Sequence, residues 1–162
     1  MSIWSDLASN RRQDCGMTSA GPRFQSGTAY LLAMAGATSR RQWMEGLARL
    51  NVTPSQFKVI MALHEVDSLG QRQLAELIGI DPRNCVPIID SLVEADLVSR
   101  QIDGTDRRRR DLRLTSAGRH LAAELESVNA ETEAMLTNSL SSTDRKALHR
   151  MLLAILAAAD ET

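Results

Sequence analysis

The stretch Val98–Thr115, VSRQIDGTDRRRRDLRLT, decides how this chain is read. Short runs of alternating apolar and polar residues flank a turn containing Asp103-Gly104, the local pattern of a β-hairpin. The turn also carries Arg107, Arg108, Arg109 and Arg110 in succession. Guanidiniums crowded at a hairpin tip repel one another unless a polyanion meets them. Arg is also the side chain that matches phosphate oxygens bidentately and enters a narrow minor groove. A solvated charged turn would look the same, so the residues before the hairpin decide between the two readings.

Those residues, 71–97 (QRQLAELIGIDPRNCVPIIDSLVEADL), read as two helices joined by a tight turn. Leu74, Ala75, Leu77 and Ile78 make an apolar stripe at helical spacing, and Gly79 stands where a left-handed, helix-ending residue belongs. Asp81-Pro82 restarts the chain as a helix. The carboxylate accepts orphan amide hydrogens, and proline at the first helical position forfeits no hydrogen bond. Cys85, Ile88, Ile89 and Leu92 then face inward, and Arg83, Asn84, Val86, Pro87 and Asp90 face outward. Arg83 suits guanine and Asn84 suits adenine. Pro87 cannot donate to the Arg83 carbonyl, so a bend is expected there. Helix, glycine-containing turn and helix form a helix-turn-helix, whose second helix reads the major groove. With a basic hairpin after it, the arrangement is a winged helix-turn-helix.

At this point the chain resembles the MarR-type bacterial transcription regulators, over roughly residues 28–158. The resemblance is carried by NVTPSQFKVIMALHE (51–65), QLAELIGID (73–81), DSLVEADLVSRQ (90–101) and DGTDRRRRDLRLTSAG (103–118), in order and at the right spacing. It implies a homodimer with intertwined terminal helices, bound to a promoter operator of double-stranded DNA. It also implies that Arg108 is the wing-tip arginine entering the minor groove, with Asp106 holding its guanidinium. Arg107 and Arg109 would contact phosphates.

Composition agrees. The chain has 162 residues, enough for one domain to bury a core without staples. Only 3% of residues are aromatic, and β-formers concentrate only beside the wing, so the expected fold is mainly α with a small β-hairpin wing. The net charge of −1 argues against a nucleic-acid partner only until its distribution is considered. Arginines cluster between Arg100 and Arg113, whereas Glu124, Glu126, Glu131 and Glu133 lie in a stretch without Lys or Arg. No apolar run has the length of a membrane span or a signal peptide, and two distant cysteines make no disulfide framework. A cytoplasmic protein is expected.

Residues 1–24 read as a mobile polar extension and 25–162 as one domain. Within it, 25–50 and 115–162 are dimerisation helices, and 53–114 is the DNA-binding lobe. Helices are expected at 27–50, at 54–66 after Thr53-Pro54, from Thr115 to about Ser139, and from Asp144 to Ala159 capped by Ser142 or Thr143; residues 67–70 read as a turn. The last helix carries Leu148, Leu152, Ile155 and Leu156 as its stripe. Apolar stripes without a partner in their own chain are buried economically against a second copy. A two-fold dimer also sets recognition helices about one DNA turn, ~34–36 Å, apart.

No motif of an enzyme or of a nucleotide-binding loop is present, so neither catalysis nor a cofactor is expected. His120 and Glu124, one turn apart, could ligate a metal, but such a pair far more often marks an exposed polar face, and no metal site is assigned. A rival reading is a thiol-based redox regulator. The resemblance places Ala29 where peroxide-sensing relatives carry their thiol, which leaves Cys15 for that role, since Cys85 occupies a buried aliphatic slot. A second rival is a winged helix that binds protein without DNA. The resemblance further implies a small aromatic or phenolic effector, and the matching positions are Tyr30, Met34, Trp43, Met61 and His64. A Met and aromatic stripe also reads as core. His64 stands apart, because a buried imidazole needs a partner that an anion supplies. Arg40 and Arg41 are the arginines considered for clamping a carboxylate.

Overall fold

The structure is a computed structural model that describes residues 23–102 and 110–160. Residues 1–22, including Cys15 and nearly all of the expected extension, lie outside the described residues, as do Asp106, Arg107, Arg108 and Arg109 of the wing tip. Among the described residues, six α-helices and three short strands follow a 3-10 turn at Arg23–Ser26. They are α1 (Thr28–Arg49), α2 (Pro54–Val66), β1 (Leu69–Gly70), α3 (Gln71–Ile78) and α4 (Pro82–Glu94), then β2 (Val98–Ile102), β3 (Arg110–Leu114), α5 (Ser116–Thr137) and α6 (Ser142–Asp160). The chain divides into two compact units between Ala37 and Thr38, partway along α1. The winged helix-turn-helix belongs to the second.

Local chemistry explains where these helices begin. Thr53 and Gln56 form a reciprocal capping box at the start of α2, with Gln56 N donating to Thr53 Oγ1 at 3.2 Å and Thr53 N donating to Gln56 Oε1 at 3.0 Å. Asp81 Oδ1 accepts from the Arg83 amide at 2.7 Å, and Pro82 opens α4. Thr115 Oγ1 accepts from the Gly118 amide at 3.0 Å to start α5. Gly79 closes α3 in the left-handed region, at φ 65°. The helix starts at Thr53-Pro54, Asp81-Pro82 and Thr115 and the stop at Gly79 follow the sequence reading, which did not include the part played by Gln56. The cap of α6 differs: Ser141, rather than Ser142 or Thr143, accepts from the Asp144 amide at 3.2 Å. Three consecutive hydroxyl residues offer equivalent caps, and here the first engages the Asp144 carboxylate as well, at 2.6 Å.

The segment expected as a turn at 67–70 contains a strand. Leu69 pairs with Leu112 and Gly70 with Asp111, which makes a three-stranded antiparallel sheet in the order β1-β3-β2 rather than a lone hairpin. Ser68 Oγ donates to Asp111 Oδ2 at 2.9 Å beside that pairing. A two-residue strand carries no alternation to read, so only the long-range partner reveals it. In the wing, Val98 pairs with Leu114 and Ile102 with Arg110. The expected Asp103-Gly104 turn between these strands lies outside the described residues.

The core of the second unit draws Leu47 from α1, Val59, Ile60 and Leu63 from α2, and Leu74 and Ala75 from α3. Cys85, Ile89 and Leu92 of α4 join it, with Leu112 and Leu114 of β3 and Ala122 and Leu125 of α5. Leu77, expected in the buried stripe of α3, is exposed; the core-facing line of that helix runs through Leu74, Ala75 and Ile78. Among the described residues no helix is long and apolar enough to cross a membrane.

Candidate nucleic-acid interface

Helix α4 is anchored from below and open above. Cys85, Ile89 and Leu92 are fully buried, and Ile88 is partly so. One residue away in rotation, Arg83, Asn84, Val86 and Pro87 are all exposed, clustered on the N-terminal half of the helix. That half is the one presented to base edges in helix-turn-helix proteins. The helix continues through Pro87 to Glu94.

Two contacts, Gln56–Ser91 and Asp90–Arg100, tie this helix to its neighbours. Gln56 Nε2 of α2 donates to Ser91 Oγ of α4 at 3.2 Å, and Ser91 Oγ donates to the Ile88 carbonyl at 2.8 Å. The Asp90 carboxylate, on the outward face in the sequence reading, is engaged by the Arg100 guanidinium of β2. Helix α4 and the wing are thereby joined by an ion pair that the sequence reading did not assign. The signal was present in the sequence, an acid on α4 and a base on the second residue after Val98, but nothing local placed them face to face.

The base of the wing is locked to α5. The Thr115 hydroxyl donates to the Asp96 carbonyl at 2.6 Å and the Thr115 amide to the Leu97 carbonyl at 3.0 Å. Gly118 sits against that same Leu97 carbonyl, so closely that a Cβ at position 118 would lie 2.0 Å from its oxygen. This close approach is the physical reason for glycine three residues after the Thr cap. Arg119 follows, and its guanidinium donates to the Leu114 carbonyl at 2.9 Å.

Of the residues considered for an effector, Trp43, Met61 and His64 belong to the second unit. Trp43 donates from Nε1 to Asn129 Oδ1 at 3.1 Å and packs edge-on to Phe57, with ring centroids 5.2 Å apart. Met61 packs against the core. Tyr30 and Met34 belong to the unit that ends at Ala37. His64 is partly exposed and faces the Glu126 carboxylate at 3.5 Å, so its imidazole has an intrachain partner. It also lines an open cleft of about 390 Å³, together with Asp67, Gln101, Arg113 and Arg119 over Leu63 and Leu114. Arg40 and Arg41 are exposed and do not line it. Sequence reasoning missed Arg113 and Arg119.

Cys85 has no solvent access, and desolvation pushes its thiol pKa up from the ordinary range. A thiol held protonated is a poor nucleophile. His120 and Glu124 lie 3.9 Å apart on an exposed face. Among the described residues no group of three or more His, Cys, Asp or Glu side chains is placed to hold a metal.

The MarR family model matches residues 52–109, from the last residue before the α2 cap into the wing. Among solved structures the chain is similar to the transcriptional repressor CouR bound to a 23-mer DNA duplex. That likeness has 28% identity and a TM-score of 0.69, covering 86% of this chain and 99% of that one. It is similar to BpsR of Bordetella bronchiseptica, whose DNA binding is regulated by 6-hydroxynicotinic acid, at 21% identity and a TM-score of 0.65 over 84% and 97% of the two chains. It is also similar to the reduced form of MarR from E. coli, at 23% identity and a TM-score of 0.67 over 80% and 96%. The last two likenesses concern the fold alone.

Proposed function

We propose that this chain, whose residues 52–109 match the MarR family model and which is similar in structure to the repressor CouR, is a sequence-specific DNA-binding repressor that occupies a pseudo-palindromic operator as a homodimer. The observation that carries this reading is the split character of α4. Its inner face is fully buried, while Arg83, Asn84, Val86 and Pro87 stand exposed at its N-terminal end beside a strand-paired wing. A helix held so firmly with its polar end free is built to present that end to something. Arg83 and Asn84 carry the bidentate chemistry that reads guanine and adenine in a major groove. Arg108 is assigned to the minor groove, Asp106 to orienting it, and Arg107 and Arg109 to flanking phosphates.

The homodimer is supported by α6. Leu148, Met151, Leu153, Ile155 and Leu156 are exposed in the single chain, a concentration that a second copy would cover. CouR, the similar repressor, is itself seen on a DNA duplex, and BpsR responds to a small hydroxylated aromatic acid. Release from DNA by a small effector, in a cytoplasmic setting, belongs to the same proposal.

Selection of bound fragments from genomic DNA, followed by titration of the recovered site at several salt concentrations, tests it. The expected result is one recurring inverted repeat with affinity falling steeply as salt rises. Uniform binding to all fragments would reduce the protein to a nonspecific DNA binder. No binding at any salt would hand the assignment to the protein-interaction reading.

A further inference from the structure

The cleft over Leu63 and Leu114 has a composition that sets it apart from an ordinary apolar pocket. Sites for small molecules have volumes of about 300–1,000 Å³ and mostly apolar walls. This cleft reaches that size, at about 390 Å³, yet its walls are polar: His64 and Asp67 come from the C-terminal end of α2, Gln101 from β2, Arg113 from β3 and Arg119 from the first turn of α5. Among the described residues no aromatic ring other than the imidazole lines it. Arg119 is pre-positioned by its bond to the Leu114 carbonyl. The Arg113 guanidinium has no hydrogen bond or ion pair with any described residue, although it is exposed beside Asp67 and on the same sheet face as Asp111. Asp111 is engaged by Ser68, and His64 by Glu126. Two arginines therefore converge on the cleft with one acid, Asp67, at its rim.

We infer that this cleft binds a small hydrophilic hydroxycarboxylate. The carboxylate lies between Arg113 and Arg119, where planar guanidiniums offer paired donors. Its hydroxyl donates to Asp67, and Gln101 satisfies the remaining oxygen. An aromatic acid gains little here, because the walls offer little apolar area to cover its ring. An occupant would tie together α2, both wing strands and the start of α5. That regulatory consequence rests on the DNA-binding reading above, whereas binding itself does not.

L-malate is the probe, titrated into the full-length protein by calorimetry in the absence of DNA, with succinate, benzoate and inorganic phosphate as comparators. Expected are saturable binding of one malate per chain, succinate weaker by about the tenfold that a lost hydrogen bond of ~1.4 kcal/mol implies, and benzoate and phosphate weaker still. Arg113→Ala, which removes an exposed side chain with no described partner, should weaken malate at least tenfold with an unchanged melting temperature. Equal binding of benzoate, unchanged binding in Arg113→Ala, or no binding of malate would each overturn the assignment. A variant that loses DNA affinity equally on all sequences, with malate never bound, would make Arg113 a phosphate contact instead. Loss of DNA binding by the wild-type protein would leave the calorimetric result standing, so the two readings fail separately.

Discussion

Helices α4 and α6 are both amphipathic, yet they dispose of their apolar faces in opposite ways. In α4, Cys85, Ile89 and Leu92 are at most 1% exposed, held by α2, α3 and the sheet. In α6, Leu153, Ile155 and Leu156 are 55%, 47% and 62% exposed, and none of the helix's described side chains is buried. The first helix takes its orientation from its own chain. The second has its apolar surface to offer to another. On the proposed homodimer, stability and assembly are thus written into different helices, and they should respond separately to substitution.

The largest expected effect lies on α6. Ile155→Asp with Leu156→Asp puts charges where a second copy would bury aliphatic side chains, and an uncompensated buried charge costs about 3–5 kcal/mol. Sedimentation should show the single-chain mass, while far-ultraviolet circular dichroism and the melting of the lobe stay unchanged. A dimer that survives would place the interface elsewhere and dissolve the contrast. Ile89→Ala comes next and acts through folding: emptying a fully buried site costs about 2–5 kcal/mol. Denaturant titration should show the loss, and a variant with wild-type stability would mean that α4 is not held as described.

Smaller again is Arg83→Ala. Losing a bidentate contact to guanine should relax discrimination at one base position per half-site by about 1–3 kcal/mol, with stability intact because Arg83 is exposed. Competition binding with single-base variants of the operator measures it. A loss spread evenly over all sequences would make Arg83 a phosphate contact and leave Asn84 as the reader.

What was legible in the sequence was what local chemistry determines. Thr53-Pro54, Asp81-Pro82, Gly79 and Thr115 each act on the next few amides, and each sits where the sequence reading put it. The inner face of α4 could be read from spacing alone. Strand β1 could not, because Leu69 gains its meaning only from Leu112. The Asp90–Arg100 pair and the convergence of Arg113 and Arg119 on one cleft have the same origin. These side chains sit on different elements, and they meet only when those elements pack together. Arg113 did carry a faint signal, since it alternates with the buried Leu112 and Leu114 and so had to face outward.

The smallest effect concerns Cys85, on the buried face of the same helix. Burial raises its pKa in the folded state by disfavouring the thiolate. The folded form therefore holds its proton to higher pH than the unfolded form does. The resulting stability is fully present below the unfolded thiol's pKa and declines as pH rises towards the folded value. Between neutral pH and the alkaline range, the wild-type protein should thus lose slightly more stability than Cys85→Ala. At neutral pH the alanine variant should be less stable by about 1 kcal/mol, from the cavity left by sulfur. Urea titrations of both proteins across that range supply the comparison, and iodoacetamide offers an independent check. Alkylation of Cys85 should be slow in the native state and fast in urea. Rapid native labelling at neutral pH would show that the thiol is reachable and ionised, and the inner face of α4 would then be less firmly closed than that of a core helix.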